Sequence, residues 1–132
     1  MRAFGTIARL TLALAALVAM AGTTAVWAQG EWKAPADAKA TKNPEKGVGD
    51  AKKAIDANCV PCHGATGKGD GPAAAALPTK PADWTSDKVQ KETDGELFWK
   101  ISNGRGPMPP WKHLPEKQRW EIVNYIHSLK KK

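Results

Sequence analysis

The hydrophobic pattern divides the chain into unequal parts. Residues 10–20 form an apolar run interrupted only by Thr11, preceded by Arg2 and Arg9 and followed by Val26-Trp27-Ala28. A basic start, a short apolar run and a small residue at the end predict a secretory signal peptide cleaved after Ala28. The run is shorter than the ~20 apolar residues of a spanning helix, so a retained anchor is the weaker alternative. Residues 29–43 are rich in Ala, Lys, Pro and Asp and lack apolar periodicity, the pattern of a flexible leader, with Trp32 its one bulky group.

From Pro44 onward the pattern becomes helical. Val48, Ala51 and Ile55 recur at helical spacing and predict a helix over residues 45–58. Gly47 and Gly49 weaken its start by about 1 kcal/mol each relative to alanine. Residues 64–85, rich in glycine and proline, read as a long loop with a short alanine-rich piece. Leu97, Phe98 and Ile101 predict a second helix over residues 94–102, capped by Thr93 or Asp94. The three prolines and two glycines of residues 104–110 exclude a regular element there. Ile122, Ile126 and Leu129, broadened by Trp120, Val123 and Tyr125, predict a last helix that starts at Pro115 and closes on three lysines. No strand and no internal repeat is visible.

Composition then narrows the classes. The 132 residues carry a net charge of +7, with 42% hydrophobic and 25% charged residues, ordinary for one globular domain. That length excludes a two-domain dinucleotide-dependent enzyme. Two cysteines exclude a disulfide-dense scaffold. Removing the first 28 residues, which hold two arginines and no acid, leaves 104 residues at +5. The positive balance does not point to nucleic acid, since no recognition motif accompanies it.

The chemistry lies in Cys59-Val60-Pro61-Cys62-His63. At C-x-x-C-H spacing, two thiols can each add to a vinyl group of haem, and the next histidine then lies under the iron. Three other readings compete. A thioredoxin-like motif wants strands and a thiolate at a helix N-terminus, whereas this motif follows a helix. A zinc site wants a second ligand pair, and only His113 and His127 remain. A plain disulfide leaves His63 without a role.

A sixth iron ligand has one outstanding candidate. With Met1 and Met20 removed, Met108 is the remaining thioether, set between Pro107 and Pro109, which restrict its backbone. The alternatives are His113, His127, a lysine or an open position. Trp84, Arg105 and Trp111 are candidates to meet the haem propionates or cover the haem edge. Lys68, Lys80, Lys100 and Lys112 are candidates to steer an acidic redox partner.

Taken together, the chain resembles the class I mono-haem c-type cytochromes of the bacterial periplasm. The likeness covers residues 47–129. It rests on the motif ending in Gly64, the Gly67-Lys68-Gly69-Asp70-Gly71-Pro72 loop, Gly95-Glu96-Leu97-Phe98 opening a helix, Met108-Pro109, and Tyr125-Ile126 in the closing helix. The resemblance implies an all-α, cytochrome c-like fold over residues 44–132, with N- and C-terminal helices packed around one haem c held by Cys59 and Cys62 and joined by long loops. It implies His63 and Met108 as axial ligands and Pro72 as the residue whose carbonyl accepts the His63 Nδ1–H. Ile55 falls where the family often has an aromatic packed on the last helix. The implied activity is one-electron transfer between redox proteins in the periplasm, not enzyme catalysis, with the membrane reached through partner complexes or an uncleaved signal. The alternatives are an electron-transfer subunit of a larger respiratory or dehydrogenase complex, a gas- or peroxide-binding haem protein, and a thiol oxidoreductase.

Overall fold

A computed structural model describes residues 30–131; the expected signal peptide lies outside them. The described chain contains six α-helices: α1 (Ala36–Ala40), α2 (Ala51–Asn58), α3 (Val60–His63), α4 (Asp87–Gln90), α5 (Asp94–Asn103) and α6 (Glu116–Ser128), with a 3₁₀ turn at Ala74–Ala76. Among the described residues the one β-type pairing is an isolated bridge between Arg105 and Met108.

Two helices pack on α6, namely α2 and α5. Their shared core contains Ala51, Ile55, Leu97, Ile101, Trp120, Ile122, Val123 and Ile126, joined by Trp84 and Val89 from the intervening segment. Ile55, Ile122 and Val123 are the largest side chains wholly removed from water. The aliphatic Ile55 thus sits in one cluster with Trp120. Phe98 stacks on Trp120 with ring centroids 3.7 Å apart, and the Arg119 guanidinium covers the outer face of Phe98 at 4.7 Å.

Local signals set the helix ends. Thr93 and Glu96 form a capping box: the Thr93 hydroxyl accepts the Glu96 N–H at 3.3 Å, and the Glu96 carboxylate accepts the Thr93 N–H at 2.8 Å. Gly104, at φ +61°, ends α5. α2 starts at Ala51, later than the periodicity predicts. Gly47 and Gly49 hold left-handed backbone at φ +78° and +47°, which a helix cannot contain. A side chain at Gly49 would also run into the buried Glu121 carboxylate of α6. The α4 turn was not legible in the pattern; Ser86 caps it by accepting the Val89 N–H.

The stretch expected as a flexible leader makes contacts with the rest of the domain from Trp32 onward. α1 lies across α5 so closely that a Cβ on Gly95 would overlap the backbone carbonyls of Ala38 and Thr41. The Thr93 hydroxyl donates to the Lys39 carbonyl at 3.0 Å, and Lys39 approaches Glu96 at 3.7 Å. Asn43 donates to the Trp120 carbonyl at 3.2 Å and to the Asn124 side chain at 2.9 Å. Trp32 lies beneath the Lys100 ammonium at 5.4 Å. Backbone carbonyls and a glycine make this docking, so apolar periodicity gave no sign of it.

Two outcomes follow. Thr93→Ala removes the cap of α5 together with the bond to α1, and should cost about 1–2 kcal/mol in denaturant unfolding. Gly95→Ala forces α1 away, and should cost about 1–3 kcal/mol while making the segment around residue 40 newly susceptible to limited proteolysis. Because its bond to the Thr93 N–H holds the Glu96 carboxyl below its ordinary value, the capping box is intact at neutral pH and its contribution is lost as pH falls through the carboxylate range.

Candidate functional site

Cys59 is the hinge between α2 and α3. It closes α2 by donating its N–H to the Ile55 carbonyl at 2.8 Å, and its own carbonyl accepts from Cys62 at 3.1 Å and His63 at 2.8 Å. The two thiols and the imidazole therefore stand at i, i+3 and i+4 of one helical turn, the spacing that puts side chains on a common side. Pro61 is accommodated because it lies in the first turn of α3, where its missing N–H has no partner to lose.

A four-residue helix leaves its carbonyls unsatisfied. Residues 64–73 supply the donors. Gly64 turns the chain at φ +78°. The amides of Gly69, Gly71 and Ala73 then donate to the carbonyls of His63, Cys62 and Pro61 at 2.8, 3.1 and 2.9 Å. Gly71 passes so close that a Cβ there would overlap the Val60 and Pro61 carbonyls. The glycine-rich loop is thus the C-terminal cap of the motif.

His63 is buried, with 9% of its surface exposed. Its Nδ1 donates to the Ala82 carbonyl at 3.0 Å, which leaves Nε2 as the nitrogen with a free lone pair. Burial holds the imidazole below its ordinary pKa, partly offset by the Ala82 hydrogen bond, so it is neutral at neutral pH, the form that ligates a metal. The ring stacks on Trp84 at 4.3 Å and 20°. Pro72 does not take the role the resemblance implied: the carbonyl at His63 Nδ1 is that of Ala82, and Pro72 lies exposed in the capping loop. A backbone acceptor carries no side-chain signature, so Ala82 had no signal in the sequence.

Cys59 and Cys62 are both half-buried and are not joined to each other by a disulfide. Burial, then the neighbouring Cys62, push Cys59 up to about 11. That is opposite to the depressed thiol of a redox-active C-x-x-C. Among the described residues no group of three or more His, Cys, Asp or Glu side chains is placed to hold a metal ion.

Met108 sits in a tight turn in which Arg105 and Met108 exchange backbone hydrogen bonds of 2.9 and 3.0 Å. Trp111 ties the end of that turn to α5 by donating its N–H to the Ile101 carbonyl at 3.0 Å. Met108 is half-buried against the hydrophobic cluster that Cys59, Val60 and Trp111 also border. His113 is exposed beside Trp111, and His127 pairs with Asp94 at 3.0 Å. Trp84 is buried against His63, committed to the imidazole rather than to an outer edge. Lys68, Lys80 and Lys112 are exposed, whereas Lys100 is withdrawn from any docking surface by its 2.6 Å pair with Glu92.

The family described as cytochrome c oxidase, cbb3-type, subunit III matches residues 47–126, more than half of the chain. The chain belongs to this family of c-type cytochromes. Its fold is similar to that of a chain in the Kuenenia stuttgartiensis reducing HAO-like protein complex Kustc0457/Kustc0458, at 29% identity and a TM-score of 0.59 over 69% of this chain. This chain spans 47% of the length of that one. It is also similar in fold to the c-type cytochrome KustC0563, at 24% identity and a TM-score of 0.54, over 62% of this chain and 99% of that one. No curated protein matches the chain significantly. The cytochrome is thus all-α, and its family chemistry is electron transfer by haem c. The residues fit that group: two half-buried thiols and a buried neutral imidazole, its Nε2 uncommitted, on one turn.

The close approach of Gly71 gives a direct check. Gly71→Ala drives a methyl group into the backbone of the motif, where no side chain can yield. The yield of haem-bearing protein, read as the ratio of haem to polypeptide, should fall several-fold relative to wild type.

Proposed function

We propose that this cytochrome is a one-electron carrier exported to the periplasm, with a single haem c bound through thioethers to Cys59 and Cys62. His63 Nε2 and the Met108 thioether would hold its iron. The observation that carries the reading is the state of His63, buried and neutral, with Nδ1 spent on the Ala82 carbonyl, directly after two thiols on the same turn.

When bound, the haem supplies a reversible one-electron change at iron. The chain's own residues decide how easily that change occurs. The Ala82 carbonyl fixes the His63 tautomer and makes Nε2 a stronger donor. Met108 contributes a soft thioether, which favours the ferrous state and raises the potential. Met108 borders the cluster that contains Trp84 and Ile101, so a haem held there would have an apolar side, which would further disfavour the ferric charge. With His63 and Met108 both engaged on the iron, the group would supply electron transfer and leave no position for a substrate. Lys68, Lys80 and Lys112 offer positive charge to acidic faces of redox partners. The N-terminal pattern of Arg2, Arg9 and residues 10–28 supports export. Among the described residues no helix is long and apolar enough to cross a membrane.

The likeness to a chain of a named complex favours a second reading, a cytochrome subunit held in a larger assembly. Size exclusion of native periplasmic extract separates the two: a carrier elutes as a small monomer, a subunit with its partners.

Visible spectra of the purified protein test the site. The wild type should show covalent haem c, low-spin in both oxidation states, with the weak far-red band of Met–Fe(III). Met108→Ala should abolish that band, let the reduced protein bind carbon monoxide, and lower the potential by on the order of 0.1 V, well inside the ~0.8 V that axial ligands span. A wild type that lacks the far-red band, or a Met108→Ala protein that stays low-spin and excludes carbon monoxide, would remove Met108 as ligand and turn attention to His113.

A further inference from the structure

One short turn holds the His63 ring from two directions. The Ala82 carbonyl accepts its Nδ1–H at 3.0 Å. Two residues on, Trp84 lies nearly parallel against the same ring, 4.3 Å between centroids and 20° between planes. The hydrogen bond fixes where the edge of the imidazole points, and the stack fixes its tilt. Neither alone removes rotation of the ring.

The turn is itself over-determined. The Trp84 N–H donates to Gly67 at 2.7 Å, which ties it to the loop capping the haem-binding motif. The Gln90 amide donates to the Trp84 carbonyl at 2.6 Å and to the Ile126 carbonyl at 2.8 Å, which ties it to α6. Asp83 accepts from the Thr85 N–H at 2.8 Å and the Thr85 hydroxyl at 2.7 Å, closing the turn locally. The indole has little freedom: it is 6% exposed, a Cβ on Gly67 would lie 2.9 Å from it, and the Tyr125 ring meets it edge-on at 6.3 Å and 86°. A tryptophan needed for burial alone has no reason to stack on the one histidine whose Nδ1 is held by the same turn.

We propose that residues 82–84 are a clamp that sets the plane of the His63 imidazole, with Trp84 as a positioning residue. The proposal rests on His63 being an axial ligand, as argued above. The plane of an axial imidazole decides which iron orbital carries the unpaired electron of the ferric state. The clamp therefore sets the electronic asymmetry of the haem, beyond merely retaining the ligand.

The test uses the haem-bearing protein. The readout is the pattern of haem-methyl proton shifts in the NMR spectrum of the oxidised form, which follows the orientation of the axial planes. Trp84→Leu removes the flat ring. It should keep the low-spin visible spectrum while changing the order and spread of the methyl shifts. Trp84→Phe restores a flat ring and should return the pattern most of the way to wild type. A wild-type pattern in Trp84→Leu overturns the clamp. If Trp84→Leu does not mature, Tyr125→Leu, which removes the edge contact on Trp84, is read in the same way. A smaller displacement of the same methyl resonances supports the clamp and an unchanged pattern overturns it. His63→Ala keeps the two premises apart. Loss of low-spin ligation supports the axial reading, and a wild-type spectrum overturns that reading and the clamp with it.

Discussion

A buried imidazole must have both of its nitrogens accounted for, and most of this structure follows from how that is done at His63. One nitrogen donates to the Ala82 carbonyl; the other is left with its lone pair. Burial keeps the ring neutral, which makes that lone pair available. Such a ring cannot be held by α3 alone, because four residues make barely one turn and nucleate poorly. The loop that caps α3 and the turn that carries Ala82 are therefore structural necessities of the motif, and their own anchors on Gly67 and Ile126 extend the requirement to α6.

This explains why glycines gather where they do. The capping loop can donate three amides to α3 only by running against its carbonyls, and Gly71 permits that approach. The same device recurs at Gly95, where α1 meets α5, and at Gly49, where the chain passes the Glu121 carboxylate. Three contacts between segments distant in sequence thus depend on the absence of a side chain. Gly49 and Gly64 carry a second requirement: at φ +47° and +78° their backbone freedom matters as well as their size.

What could be read in the sequence was what side chains announce. The stripes on α5 and α6 were legible because apolar residues there recur at helical spacing and do face the core. The thiol–thiol–imidazole turn was legible because its chemistry fixes its spacing. The family followed from these and is the one to which the chain belongs. What backbone carries was hidden. Ala82 acts through its carbonyl, and an alanine advertises nothing. The expectation for Pro72 had the right kind of partner, a backbone oxygen in the loop after the motif, at the wrong residue. α1 was hidden for the same reason, since it is held by the carbonyls of Ala38, Lys39 and Thr41 rather than by an apolar face.

The packed N-terminal segment changes how the small core should be regarded. A domain of this size buries a limited fraction of its surface, and every covered edge counts. α1 contributes no buried side chain of its own. It acts instead as a cover over the start of α5, where the capping box would otherwise face solvent. Asn43 then links the following strand of chain to α6 through the Trp120 carbonyl and Asn124, whose own amide returns to Glu45 and Gly47. The path from α1 to α2 is therefore sewn to α6 by side-chain amides before α2 begins. That places α2, and with it Cys59, in register with α6 without relying on the eight residues of α2 to find the register by apolar contact alone. The residues that precede the family match thus serve the Cys59–His63 motif from a distance, by fixing the helix on which it is built.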